Sequence, residues 1–351
     1  ERIRRFAETQ ETPFLVVDRA TVGEAYDELA AAFPFAGIYY AVKANPAPEI
    51  IELLRDRGAN FDIASIYELD RVLGLGVTPD RVSYGNTIKK ARDVRYFYER
   101  GVTLFATDAE ADLRNIAKAA PGARVYVRIL TEGTQTADWP LSRKFGCAPD
   151  MAPDVLEHAH RLGLVAHGVS FHVGSQQADV EAWDGALSSA AAIFREMAER
   201  GITLSMVNLG GGFPARYLKD IPGVPHYGEA ILRGLNTHFG NRIPQTIIEP
   251  GRGMVGDAGM IEAEVVLISK KSAAEDEIRW VYLDIGKFNG LAETMDEAIR
   301  YPIRTEKDED RKTPCVLAGP TCDSVDVLYE KTPYELPVSL SIGDKVLIEA
   351  C

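Results

Sequence analysis

From residue 37 to 252 the chain alternates short β-branched or apolar runs with amphipathic stretches of helix length. The apolar runs are GIYYAVK (37–43), NFDIAS (60–65), RVSYGN (81–86), TLFATD (103–108), ARVYVRIL (123–130), LVAHGVSFHVG (164–174), SMVNLGG (205–211) and QTIIEPG (245–251). Between them lie segments such as PEIIELLRDRG, SIYELDRVLGLG, EADLRNIAKAAPG and ALSSAAAIFREMAERG. Several end in glycine, which readily adopts the left-handed conformation that stops a helix. Eight strands, the first seven each followed by a helix or a helix-sized connection, have the rhythm of a (β/α)8 barrel. A doubly wound open sheet is the alternative; eight units in one run favour closure.

After residue 255 the texture changes. MIEAEVVLISKK, RWVYLDIG, TPCVLAGP, DSVDVLYEK and GDKVLIEAC read as strands with few helices between them. The pattern predicts an α/β chain with a TIM-like barrel over residues 20–255. A β-sandwich or β-barrel domain is expected from residues 256–351 together with 1–19, where FLVVD (14–18) supplies a strand. KKSAAEDEI and RTEKDEDRKTP read as exposed loops.

Composition narrows the partners. The 351 residues carry a net charge of -13, which argues against nucleic acid as main partner and suits a small cationic substrate. No apolar run approaches the roughly 18–20 residues that span a bilayer, and ERIRRFAETQETP at the start has no apolar segment behind its basic residues. Four cysteines, none in CxxC spacing, suggest free thiols in a reducing cytoplasm and no zinc site.

Barrel enzymes gather their chemistry at the C-terminal ends of the strands. Lys43, Asp62, Asn86, Arg128, His172, Ser175, Gly210 to Gly212 and Glu249 to Arg252 all fall there. Lys43 sits in an apolar strand expected to be buried on both faces, which costs several kcal/mol unless the amine is paired or deprotonated. A snorkelling or ion-paired lysine would satisfy that. So would a desolvated amine of lowered pKa, which is what condensation with an aldehyde cofactor requires. Gly210, Gly211 and Gly212, with Gly251 in EPGR, follow the last two strands, where barrels commonly build a phosphate site from backbone N–H groups. A tight turn explains a glycine trio as well. Arg252 could add a bidentate contact and Ser175 a hydroxyl. Glu249 either pairs structurally with Arg252 or keeps a pyridine nitrogen protonated. His172 is either a core histidine or a ring stacked on a flat cofactor.

YAVKAN (40–45), FDIAS (61–65), LSRKFG (141–146), FHVGS (171–175), LGGGFP (209–214), EPGR (249–252) and GPTCDSVD (319–326) together resemble the ornithine/lysine/diaminopimelate/arginine decarboxylase family of fold type III pyridoxal-phosphate enzymes. The resemblance spans essentially the whole chain. It implies that Lys43 holds pyridoxal phosphate covalently, that Glu249 bonds the pyridinium nitrogen and that His172 stacks on the ring. Ser175, the Gly210–Gly212 loop, Gly251 and Arg252 would hold the phosphate, with Asp62 and Arg128 around the ring. It further implies a homodimer with shared sites: Cys322 from the partner subunit as proton donor, Asp323 on the substrate's distal ammonium, and a Lys144–Asp326 salt bridge across the dimer.

Within that family a carboxylate at Glu249 argues for decarboxylation over racemisation. Asp323 in place of glutamate suits a plain ammonium, so the expected reaction is L-ornithine to putrescine and CO2, with L-lysine to cadaverine as a second one. YLDIGKF places Asp284 one position earlier than the aspartate of the eukaryotic ornithine enzymes, and resembles the bacterial ornithine or lysine/ornithine branch. Diaminopimelate decarboxylase and a catalytically inactive regulatory homologue are the alternatives. The family continues past the last cysteine with a phosphate-touching tyrosine, so a missing tail after Cys351 is expected.

Overall fold

The eight apolar runs become eight parallel strands. The computed structural model describes residues 6, 9–131, 136–139, 143–273 and 278–351. They divide into a barrel unit (19–214 and 221–255) and a β unit (1–18, 215–220 and 256–351).

After β1 (Phe14–Val17), which belongs to the β unit, come β2 (Ala36–Ala41), β3 (Asn60–Ile63), β4 (Val82–Tyr84), β5 (Leu104–Thr107) and β6 (Arg124–Arg128). Then follow β7 (Ala137–Trp139), β8 (Val165–Ser170), β9 (Ser175–Gln177), β10 (Met206–Asn208) and β11 (Gln245–Ile248). β2, β3, β4, β5, β6, β8, β10 and β11 close into a barrel, β11 returning to pair with β2. β7 and β9 form a separate antiparallel pair.

Tyr39, Leu104, Ala106, Tyr126, Met206 and Ile247 form a buried cluster inside the barrel. Side chains along a strand alternate between faces. Arg128, Asn208 and Glu249, each two residues beyond a member of that cluster, therefore point inward one layer nearer the C-terminal end.

The helices explain themselves locally. Ser65 accepts the N–H of Glu68 at 3.3 Å, and the Glu68 carboxylate accepts the N–H of Ala64 at 2.6 Å. This reciprocal cap starts the helix Ile66–Gly74 directly after β3 and fixes the chain that carries Asp62. The helix ends before Gly76 at φ 85°, a conformation glycine adopts without a Cβ clash.

The β unit is a seven-stranded sheet built on β12 (Gly259–Ser269), β13 (Arg279–Leu283), β14 (Ile303–Thr305), β15 (Lys312–Ala318), β16 (Val327–Pro337) and β17 (Lys345–Glu349). Its order is β14-β17-β12-β13-β15-β16, with β1 paired antiparallel to β12. Two expectations change. RTEKDEDRKTP is not all loop, since its ends join β14 and β15. DSVDVLYEK does not start a strand at Asp323: the N–H of Asp326 bonds the carbonyl of Asp323 at 3.1 Å, and the resulting turn delays the strand to Val327. Of KKSAAEDEI, residues 274–277 lie outside the described residues.

One buried ion pair braces the barrel rim. The Lys89 side chain is wholly buried and donates to Asp112 at 2.6 Å, to the carbonyl of Ala106 at 2.6 Å and to that of Asn86 at 3.0 Å. Removing one member of such a pair strands the other charge, at a cost of about 3–5 kcal/mol. Asp112→Ala should therefore lower unfolding stability by about 3 kcal/mol in urea titration, and Lys89→Met with Asp112→Leu should recover much of it. A loss below about 1 kcal/mol for the single variant would show that the pair is not a brace.

Candidate active site

Strand β2 stops at Ala41, whose N–H bonds the carbonyl of Pro250 at 3.0 Å, and the chain turns through a short 3-10 segment, Val42–Ala44. Lys43 rides on this turn and is exposed. The expectation of a lysine buried on both strand faces is thereby corrected: the turn lifts its side chain out of the sheet. Two residues of the YAVKAN motif hold the turn. The buried Tyr40 hydroxyl donates to the carbonyl of Asn45 at 2.9 Å, and Asn45 Oδ1 accepts the N–H of Ala47 at 3.0 Å.

Around Lys43 stand Asp62, Arg128, His172 and Glu249, and the charges of Lys43 and Arg128 act on the other three. Burial raises the Asp62 carboxyl well above the usual range and the charge of Glu249 adds to it, while Lys43 and Arg128 pull it back. Burial also raises Glu249, against the hydrogen bond from Asn208 and the charges of Arg128 and Lys43. Burial, Arg128 and Lys43 push His172 down to about 3, so its ring is neutral across the working pH range. Two acidic groups that burial disfavours as anions thus share one small region with Lys43, Arg128 and a neutral imidazole.

The glycine loop is packed too closely for any side chain. A Cβ on Gly210 would strike the carbonyl of Phe171, one on Gly211 that of Glu249, and one on Gly212 that of Gly174. Gly210 and Gly212 also have φ of 66° and 103°. A Cβ on Gly251 would stand 3.1 Å from that of Ala44 and 3.4 Å from that of Ala41, so the EPGR loop is seated on the Lys43 turn. The N–H of Glu249 bonds the carbonyl of Gly210 at 2.8 Å, and the N–H of Gln177 that of Gly212 at 2.9 Å. The segments bearing Lys43, His172 with Ser175, the glycines, and Glu249 with Arg252 are therefore hydrogen-bonded or packed into one rim. Ser175 opens β9 opposite Trp139, and Arg252 heads the short helix Arg252–Val255.

This rim fits a flat, phosphate-bearing aldehyde. Asp62 Oδ1 and His172 Nδ1 are buried without a hydrogen-bond partner among the described residues. Such groups cost about 1–3 kcal/mol each until a bound molecule satisfies them. A loop that presents backbone without side chains suits contact between phosphate oxygens and N–H groups.

In the β unit, Cys322 and Asp323 are exposed on the turn between β15 and β16. Asp323 Oδ1 accepts the N–H of Val325 at 2.9 Å. Asp326, 2% exposed, accepts the N–H of Lys287 at 2.8 Å on one oxygen, and the N–H and hydroxyl of Thr321 at 3.1 and 2.7 Å on the other. Both oxygens are engaged within the unit, where Asp326 holds the turn. Lys144 is exposed, its ammonium 4.9 Å from the Phe145 ring centre. Leu141 and Ser142 of the LSRKFG motif lie outside the described residues. Asp284 Oδ1 accepts the N–H of Glu264 at 2.8 Å.

Sequence reasoning missed Asn208. Its fully buried amide donates to Glu249 Oε1 and accepts the N–H of Gly210 at 2.9 Å. A polar residue in the apolar run SMVNLGG, two positions past an inward-facing methionine, was the available signal.

Residues 19–256 match the family described as pyridoxal-dependent decarboxylase, pyridoxal binding domain. The lysine/ornithine decarboxylase of Selenomonas ruminantium is 35% identical over 350 residues, covering 99% of this chain and 86% of that protein. The ornithine decarboxylase of Schizosaccharomyces pombe is 33% identical over 347 residues, covering 96% and 77%. The crystal structure of SrLDC in complex with PLP and cadaverine superposes with a TM-score of 0.88 at 34% identity, covering 99% of this chain and 87% of that one. A whole-chain match of this kind, on a barrel whose rim suits the cofactor, establishes that the chain belongs to the fold type III pyridoxal-phosphate-dependent amino-acid decarboxylases.

Proposed function

We propose that this decarboxylase acts on L-ornithine, giving putrescine and CO2, and accepts L-lysine as a second substrate. The observation that carries the substrate class is the exposed Cys322–Asp323 turn, pinned by Asp326, which presents a short carboxylate suited to a terminal ammonium. The likeness to a lysine/ornithine enzyme and to an ornithine enzyme supports the same class.

In this reading the Lys43 amine would hold the cofactor covalently. Bound there, the cofactor would supply an electron-withdrawing pyridinium as a sink for the electron pair of the carboxylate bond that breaks. Glu249 keeps the proton on the ring nitrogen. A carboxylate poised by burial and by Arg128 and Lys43 is suited to share that proton. His172, being neutral, would pack against the cofactor without adding a charge beside Lys43 and Arg128. Ser175, the Gly210–Gly212 loop, Gly251 and Arg252 hold the phosphate.

The remaining two roles fall to a partner subunit in a homodimer. Cys322 delivers a proton to the substrate carbon and Asp323 takes the distal ammonium. One more methylene changes binding by only ~1–3 kcal/mol, so a site of this kind serves both five- and six-carbon diamino acids.

Two outcomes test this. Measured CO2 release should give kcat/KM values for ornithine and lysine within about 200-fold of each other, with arginine and diaminopimelate well below both; a diaminopimelate preference overturns the role of Asp323. Lys43→Ala and Cys322→Ala should each abolish most activity as homodimers. Mixing and reassembling them should restore up to about one quarter of the native rate, because half of the random dimers then carry one intact shared site. No restoration would mean that each site is built from a single chain.

A further inference from the structure

The Asn208 amide sits where the two ends of the rim meet. We propose that Asn208 is a positioning residue that locks the Glu249 carboxylate and the first glycine of the phosphate loop into one fixed relation. The proposal rests on the reading of Glu249 as partner of the ring nitrogen and adds a residue that acts through it.

The orientation of the amide is settled by its neighbours. The Gly210 N–H is a donor, so Oδ1 must face it, and Nδ2 is left to donate to Glu249. The carbonyl of Gly210 in turn accepts the N–H of Glu249 at 2.8 Å. A side chain–backbone ring thus joins residues 208, 210 and 249, and no member can shift alone. Asparagine is the side chain that completes it without adding charge. Aspartate would keep the Gly210 contact but turn an oxygen toward Glu249; alanine would lose both contacts. Five ionisable groups face Glu249 from the other elements around it: Lys43 on the turn after β2, Asp62 on β3, Arg128 and Tyr126 on β6, and Tyr39 on β2. Asn208 donates to Glu249 without bringing charge among those groups, and a donor to the ionised form lowers the pH at which Glu249 becomes a carboxylate.

The test compares Asn208→Asp, Asn208→Ala and Glu249→Gln as holoenzymes, reading kcat and KM against pH, the pH dependence of the cofactor's visible absorbance, and the melting temperature. Asn208→Asp should move the acid limb of kcat and the absorbance transition upward by about one pH unit, with kcat at neutral pH down about tenfold and KM within about threefold. Asn208→Ala should show the same upward shift together with faster loss of cofactor on dilution, because the glycine loop is released as well. Unmoved pH limbs in both variants, with activity falling only as the melting temperature falls, would reduce Asn208 to a structural residue and overturn the proposal. Glu249→Gln separates the two readings. If it is inactive while Asn208→Asp keeps native pH limbs, the inference about Asn208 alone is wrong; if it keeps native kcat, the role of Glu249 is wrong and the role of Asn208 goes with it.

Discussion

The register of the closed sheet is the constraint on which the rest of the barrel unit depends. Each barrel strand is hydrogen-bonded on both sides, so β10 is fixed by β8 and β11 together, and β11 by β10 and β2. A slip of one residue would turn every side chain of a strand to the opposite face. Met206 and Ile247 would leave the core, and Asn208 would leave the mouth. The apolar layer at Tyr39, Tyr126, Met206 and Ile247 and the polar layer above it are therefore one specification. The first stabilises the register by burying apolar surface, and the register then delivers charged side chains to a common point.

That common point is electrostatically expensive without a ligand. Asp62 and Glu249 both resist ionisation, Lys43 and Arg128 supply partial compensation, and two buried polar atoms have no partner among the described residues. A bound molecule that offered partners to Asp62 Oδ1 and His172 Nδ1 would relieve part of this cost. Catalytic sites store such local disagreement, and the surrounding sheet holds it in place.

Much of this was legible in the sequence. Eight apolar runs separated by helix-length segments predict the barrel because a parallel strand buried on both faces reads as a continuous apolar run. The site residues were legible as interruptions of those runs, Asp62, His172 and Glu249 being ionisable groups where only apolar ones are cheap. What the sequence did not show are features set by three-dimensional closure. Lys43 reads as the last residue of a strand, but the bond from Ala41 to the Pro250 carbonyl and the clamp from Tyr40 to Asn45 turn it outward. The turn that Asp326 holds through Lys287 and Thr321 was hidden too, the first of these being distant in sequence. Asn208 reads as an unremarkable amide until the glycine loop folds back on it.

The amine of Lys43 as covalent holder of the cofactor is the claim on which every other role depends. Reduction of the purified holoprotein with borohydride, followed by peptide mapping, tests it most directly. The account predicts a stable pyridoxyl label on Lys43 alone. A label on Lys89 or any other lysine, or none at all on a protein that retains its cofactor, would contradict it.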